Sequence, residues 1–141
     1  MGITITYGAA AHPNGEVQTT DDSWTDVLFN NSATGLVLET DKTYVFEVDI
    51  VARRTNVSYE AAGYKLQFVA ENYSDTCSIV GSQTKTVITE DDPSWDVQAA
   101  VSGTSLKIQV LGAVDKTILW SVSFPIFEVS AGVGGGGSGS S

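Results

Sequence analysis

Two short stretches hold most of the residues that could do chemistry. Asp21-Asp22-Ser23-Trp24 runs on to Asp26-Val27, and Glu90-Asp91-Asp92-Pro93-Ser94-Trp95 runs on to Asp96-Val97. Acids beside a tryptophan have three uses. Carboxylates converging on one loop can supply the six to eight or so oxygens that calcium needs. An indole face beside acids can stack on a sugar ring. An Asp and a Ser can also bond backbone amides in a turn that opens a buried strand. EF-hand spacing is met at neither stretch. In the second, Pro93 sets φ for a turn, and Trp95 begins an alternating row that continues at Val97. A turn feeding a strand therefore accounts for both stretches most economically, ahead of Val27 in the first and with Trp95 as a core anchor in the second. Neither a metal site nor a cofactor is expected. Sugar stacking on Trp24 or Trp95 is the competing use.

The remaining reactive side chains are few. His12 is the one histidine and sits beside Pro13 in a loop-like segment; Cys77 is the one cysteine, so no internal disulfide forms. In Thr76-Cys77-Ser78-Ile79-Val80 the thiol reads as a small hydrophobe. The chain has no Gly-x-Ser-x-Gly elbow, phosphate-cradling glycine loop or zinc-spaced His/Cys cluster. Carboxylates are numerous enough for a glycosidase pair, yet nothing singles two out. No catalytic residue is expected, and the chain reads as a non-enzyme.

Composition narrows the partners. The 141 residues suit one domain; 42% are hydrophobic, only 17% are charged, and the net charge is −10. Nucleic-acid binding needs a basic stripe to release counterions, and anionic membranes repel such a chain, so neither is an expected partner. No apolar run reaches the roughly 18 residues of a membrane span. No charged segment followed by an apolar one opens the chain, so no secretory signal is expected and the Asn-x-Ser triplets at Asn30, Asn56 and Asn72 read as chance. So sparse a charge suggests that other copies of the protein cover part of the surface.

These residues must be positioned by strands. Period-two alternation puts Tyr44, Phe46, Val48, Ile50 and Ala52 on one face, and Val45, Glu47, Asp49, Val51 and Arg53 on the other. Further inward rows are Tyr64, Leu66, Phe68, Ala70; Trp95, Val97, Ala99, Val101; Leu106, Ile108, Val110; and Ile118, Trp120, Val122, Phe124. Trp120 is thereby a second core anchor. Shorter candidate strands are Gly2–Tyr7, Thr25–Asn30, Thr76–Val80 and Thr84–Thr89. Turn signals fall at Pro13-Asn14-Gly15, Thr40-Asp41-Lys42, Asp91-Asp92-Pro93, Ser102-Gly103-Thr104 and Ala113–Lys116. About eight to ten such strands predict an all-β fold, an antiparallel β-sandwich of jelly-roll-like or immunoglobulin-like form, the latter lacking its Cys…Trp…Cys spacing. Residues 1–131 form the domain, with 1–20 as arm and first strand, and Gly132–Ser141 is a flexible Gly/Ser tail, native or engineered. Pro125 interrupts the last strand, which puts Ile126-Phe127-Glu128-Val129 on an edge or after a bulge. Outward Val45, Val51, Val69, Leu111 and Leu119 point to a subunit interface. Leu111, Leu119, Ile126, Phe127 and Val129 are its candidate residues.

The order of motifs from about residue 40 to 130 resembles a β-domain that recurs in tailed-bacteriophage structural proteins. It runs from "TYVFEVDIVARRTN" through "AAGYKLQFVA" to "SIVGSQTKTVITEDDPSWDVQAAVSGTSLKIQVLGAVDKTILWSVSFPIFEVS". The resemblance implies a virion component, either the distal module of a tail fibre or a head decoration (cement) protein. It also implies a homotrimer, with the major capsid protein or other virion proteins as partners. No collagen-like stalk precedes the domain, which favours a stand-alone decoration, cement or small spike protein. No family binding residue carries over. The alternative is a carbohydrate-binding β-sandwich that attaches to a host glycan through Trp24, Trp95 or Trp120. An exposed coplanar pair of rings favours that alternative, and burial of all three tryptophans counts against it.

Overall fold

The computed structural model describes residues 13–29, 36–125 and 127–130. The candidate strand Gly2–Tyr7, His12, Asn30, Ile126 and the Gly132–Ser141 tail lie outside them. The described residues form ten strands and no helix: β1 (Asn14–Thr19), β2 (Trp24–Val27), β3 (Leu36–Val37), β4 (Lys42–Arg54), β5 (Ala61–Tyr73), β6 (Thr76–Glu90), β7 (Asp96–Ser102), β8 (Ser105–Leu111), β9 (Ile118–Ser123) and β10 (Phe127–Ser130). All pairings are antiparallel. The larger sheet runs β1-β9-β4-β5-β6, with β10 also on β4. In the smaller sheet β8 pairs with β7 along its whole length, with β2 over Ile108–Leu111 and with β3 at Leu106 and Ser105. The two sheets pack face to face as a β-sandwich.

Alternation explains which residues fill it. The inward rows Tyr44–Ala52, Tyr64–Ala70, Leu106–Val110 and Ile118–Phe124 are all buried. Phe46 stacks on Phe68 at 5.1 Å and meets Phe124 edge-on at 5.4 Å, while Trp120 lies 5.9 Å from Trp95 and 6.5 Å from Tyr64. Val101 departs from its row: it stands at the rim of the β7–β8 hairpin and is exposed. That hairpin turns at Gly103, whose φ of 60° lies in the left-handed region.

Two local expectations are corrected. Pro13-Asn14-Gly15 is not a turn, because β1 begins at Asn14 and pairs through Gly15 with Val122 of β9. Gly15 serves close packing instead: a Cβ there would run into the Leu28 carbonyl. Thr76–Val80 and Thr84–Thr89 are also not separate strands. They join in β6, and Gly81 (φ 73°) is absorbed where the register with β5 shifts between Gln67 and Val69.

β6 and β7 are neighbouring edges of different sheets, and a side chain links them. The Gln83 carboxamide accepts from Ala99 N–H (2.8 Å) and donates to Ala99 C=O (3.0 Å), standing where a strand residue would. Lys85 pairs with Asp96 beside it at 2.6 Å. The edge-facing N–H and C=O of Ala99 in β7 are thus satisfied without a further strand.

The two anchor tryptophans differ in their polar ends. Trp120 Nε1 donates to the buried Thr19 hydroxyl at 2.9 Å, whereas Trp95 Nε1 has no acceptor among the described residues. Truncating either to Ala should cost about 3–5 kcal/mol. Thr19→Val should cost a further-resolved ~1–3 kcal/mol, the penalty of a buried donor left unpaired. Trp95→Phe should then be tolerated better than Trp120→Phe, since only the second strands a buried partner. Urea denaturation of the five variants checks this, and equal losses for the two Phe variants would count against it.

Candidate functional site

The acid–tryptophan stretches share one local bond, and in the second a backbone bond from Trp95 N–H to Asp92 C=O also closes the turn. Asp21 Oδ1 accepts from Ser23 N–H at 3.0 Å, and Asp92 Oδ1 accepts from Ser94 N–H at 2.9 Å. Their tryptophans end up on opposite sides. Trp95 is 1% exposed in the core, while Trp24 is 40% exposed at the start of β2, opposite half-buried Leu111. Spacing carries the signal: Trp95 and Val97 are two apart and share a face, but Trp24 and Val27 are three apart and cannot. With Trp95 and Trp120 buried, neither can present a ring to a sugar, and Trp24 is the one exposed tryptophan of the three.

Asp92 has a second task that spacing does not reveal. Its Oδ2 receives Lys116 Nζ at 2.6 Å, Lys116 also reaches Glu60 Oε1 at 2.8 Å, and Arg54 joins Glu60 at 3.1 Å. Asn56 completes the knot, accepting from Arg54 Nε and from Thr117 N–H. Three loops at one end of the sandwich are tied in this way. The Lys116 ammonium, helped by the Ser94 amide, pulls the Asp92 carboxyl down to about 2, and the same ammonium lowers Glu60. The carboxylates are committed to cations and amides of the chain, and no cluster of three or more metal-ligating side chains occurs among the described residues. Cys77 is buried, and burial pushes its thiol up, away from reactivity.

At the other end β10 inverts the usual polarity. β9 and β10 lie along the same edge of β4: Ser123 faces Asp49 and Phe127 faces Val45, so four residues separate each pair and the register is unbroken across Pro125. This register turns Glu128 inward, where Lys42 Nζ donates to its Oε2 at 2.6 Å. Lys42 also reaches Glu39 at 2.6 Å, and the Glu128 and Glu39 carboxylates together push its ammonium well above the usual lysine value. Phe127 and Val129 are left outside, 61% and 65% exposed. Strand pairing then sets Phe127, Val45, Val69 and Val80 in one register across β10, β4, β5 and β6. This outer apolar row is the strongest candidate site on the molecule. Of the expected interface residues, Phe127 belongs to it and Val129 flanks it. Leu119 lies at the far end of the same sheet opposite Arg53, and Leu111 lies on the other sheet. Val80 was missed, because the threonine-rich β6 shows no alternation of its own.

No family model matches the sequence, and no curated protein matches it. Among solved structures, the crystal structure of the Acinetobacter phage vB_ApiP_P1 tailspike protein is a weak structural neighbour. It has a TM-score of 0.34 and 10% identity over 90% of this chain, which spans 23% of the tailspike.

The Asp92 knot makes an acid prediction. A carboxyl at about 2 in the fold and near 3.8 unfolded stabilises the fold above pH 4, and that contribution is lost as pH falls through 2. The stability gap between the unsubstituted protein and Asp92→Asn, read from urea midpoints, should be constant from pH 5 to 8 and shrink between pH 4 and 2. A gap unchanged at pH 2 would contradict the assignment. Melting curves in chelator and in millimolar calcium should coincide; a calcium shift abolished by Asp91→Asn with Asp92→Asn would restore a metal site.

Proposed function

We propose that this protein is a non-catalytic structural component of a bacteriophage virion, a head decoration (cement) or small fibre or spike protein that works as a homotrimer. One observation carries the reading: β10 keeps its carboxylate inside and its apolar side chains outside, and the outer sheet extends them into a cross-strand row. An apolar row with solvent on it is a contact surface. The motif resemblance over residues 40–130 supports the phage setting, and the acidic, charge-sparse composition suits symmetric assembly on a particle.

The copy-to-copy contact fits the opposite end of the same face. There Val51 is 58% exposed and Leu119 lies diagonally across on β9. Arg53 stacks over the Tyr59 ring at 5.2 Å, and Glu16 of β1 stands opposite Ser121, two residues along from Leu119. An apolar spot with an arginine on one flank and a carboxylate on the other can meet its neighbour head to tail, and three copies close the ring.

Light scattering should give a mass near three times 14.9 kDa. Val51→Asp with Leu119→Asp should reduce it to one chain with the melting temperature unchanged. A single-chain mass for the unsubstituted protein would remove the free trimer. Mass spectrometry of purified particles tests the virion setting, with a copy number divisible by three expected; absence from particles would refute it.

A further inference from the structure

Charge decides what can cover the Phe127–Val45–Val69–Val80 row. Its margins are acidic: Glu47, opposite Gln67, stands on one side, and Glu71, opposite Thr43, on the other. Neither carboxylate has an ion pair among the described residues. Lys65, the lysine two pairs from the row on that face, is held by Asp49 at 3.1 Å. The chain has seven lysines and arginines, all within the described residues, and six are in ion pairs. The seventh, Arg53, stands at the far end of the sheet over Tyr59. A second copy laid row on row would bring carboxylates to carboxylates, since Arg53, the one cation outside an internal ion pair, stands away from the row over Tyr59 in each copy. The Val51–Leu119 end lacks this conflict, because Arg53 stands there with Glu16, and Asp49 beside them is already paired with Lys65.

We propose that the row is the docking surface for a different protein, whose contact presents aliphatic or aromatic side chains flanked by lysine or arginine. This rests on the outer face being an attachment face and specifies what it attaches to. The apolar row supplies the buried centre of such a contact. Glu47 and Glu71 supply rim charges that speed encounter with a basic partner and exclude an acidic one.

The test uses three synthetic peptides as probes on the full-length, isotope-labelled protein: alternating leucine–lysine, alternating leucine–glutamate, and alternating serine–lysine. Leucine–lysine should shift the amide resonances of Val45, Val69, Val80 and Phe127. Its affinity should fall about tenfold in Phe127→Ser and about tenfold in Glu47→Gln with Glu71→Gln, the second loss shrinking as salt is raised. Leucine–glutamate and serine–lysine should bind at least about tenfold more weakly. Melting temperatures of the variants should match the parent, so that lost binding is not lost folding. Equal binding by serine–lysine, or shifts spread over the other acidic loops, would overturn the proposal as mere charge attraction. A drop in oligomer mass in Phe127→Ser would overturn it as a copy-to-copy contact. The two readings fail separately: a monomeric parent removes the trimer and leaves the peptide map standing, and an unshifted row removes the docking surface and leaves the trimer.

Discussion

Pairing along both edges of β4 is the constraint from which the rest follows. From Lys42 to Arg54 it carries β5 on one side and β10 then β9 on the other, and its side chains alternate without a break. A slip of one residue would move Tyr44, Phe46, Val48 and Ile50 into solvent and bury Glu47 and Asp49 unpaired. Because β4 cannot slip, its neighbours inherit its register. Trp120 is set inward opposite Ala52, and Phe127 is set outward opposite Val45. The core and the outer apolar row are two consequences of one register.

The strands that pack on both sheets' inner faces were readable from local spacing, because burial on one face writes a period of two. β4, β5, β8 and β9 show this residue by residue. β6 does not: most of its side chains are open to solvent on both faces, so nothing selects an alternation, and Gly81 looks like a turn although it sits inside a strand. The row itself lay beyond local reading. Val45, Val69 and Phe127 each look like scattered outward residues, and only three successive pairings bring them and Val80 together. Glu128 shows the same limit. An acid between two apolar residues reads as the solvent side until β4 dictates which side faces in and Lys42 is there to receive it. The knot of Arg54, Glu60, Asp92 and Lys116 draws on three separate loops, so no spacing rule finds it.

Electrostatics gives this small set of cations an outsized role. Lys116 and Arg54 hold the loops at one end, and Lys42 neutralises the inward Glu128 at the other. Between the sheets Lys85 bridges to β7, and on the smaller sheet Lys107 meets Asp26 beside the chain of amides from Gln98 through Gln109 to Asp26. Exposed pairs of this kind contribute little one by one. Their collective effect is on the surface field: with six of the seven cations engaged internally, an approaching molecule meets a mainly acidic surface.

An exposed apolar row on a sheet is an aggregation hazard as well as a docking surface, and the two roles have opposite requirements. Adding apolar area would strengthen any contact, including the wrong ones. Carboxylates at the margins separate the cases, since they penalise a second acidic copy and favour a basic partner through the same side chains. The bulged register of β6 acts in the same direction at the row's outer end, where Val80 precedes Gly81 and the edge loses the flat geometry that another strand would need. Selectivity here therefore resides less in the row than in what surrounds it: remove Glu47 and Glu71, and the same four apolar side chains would become a surface for any neighbour, another copy of this chain included.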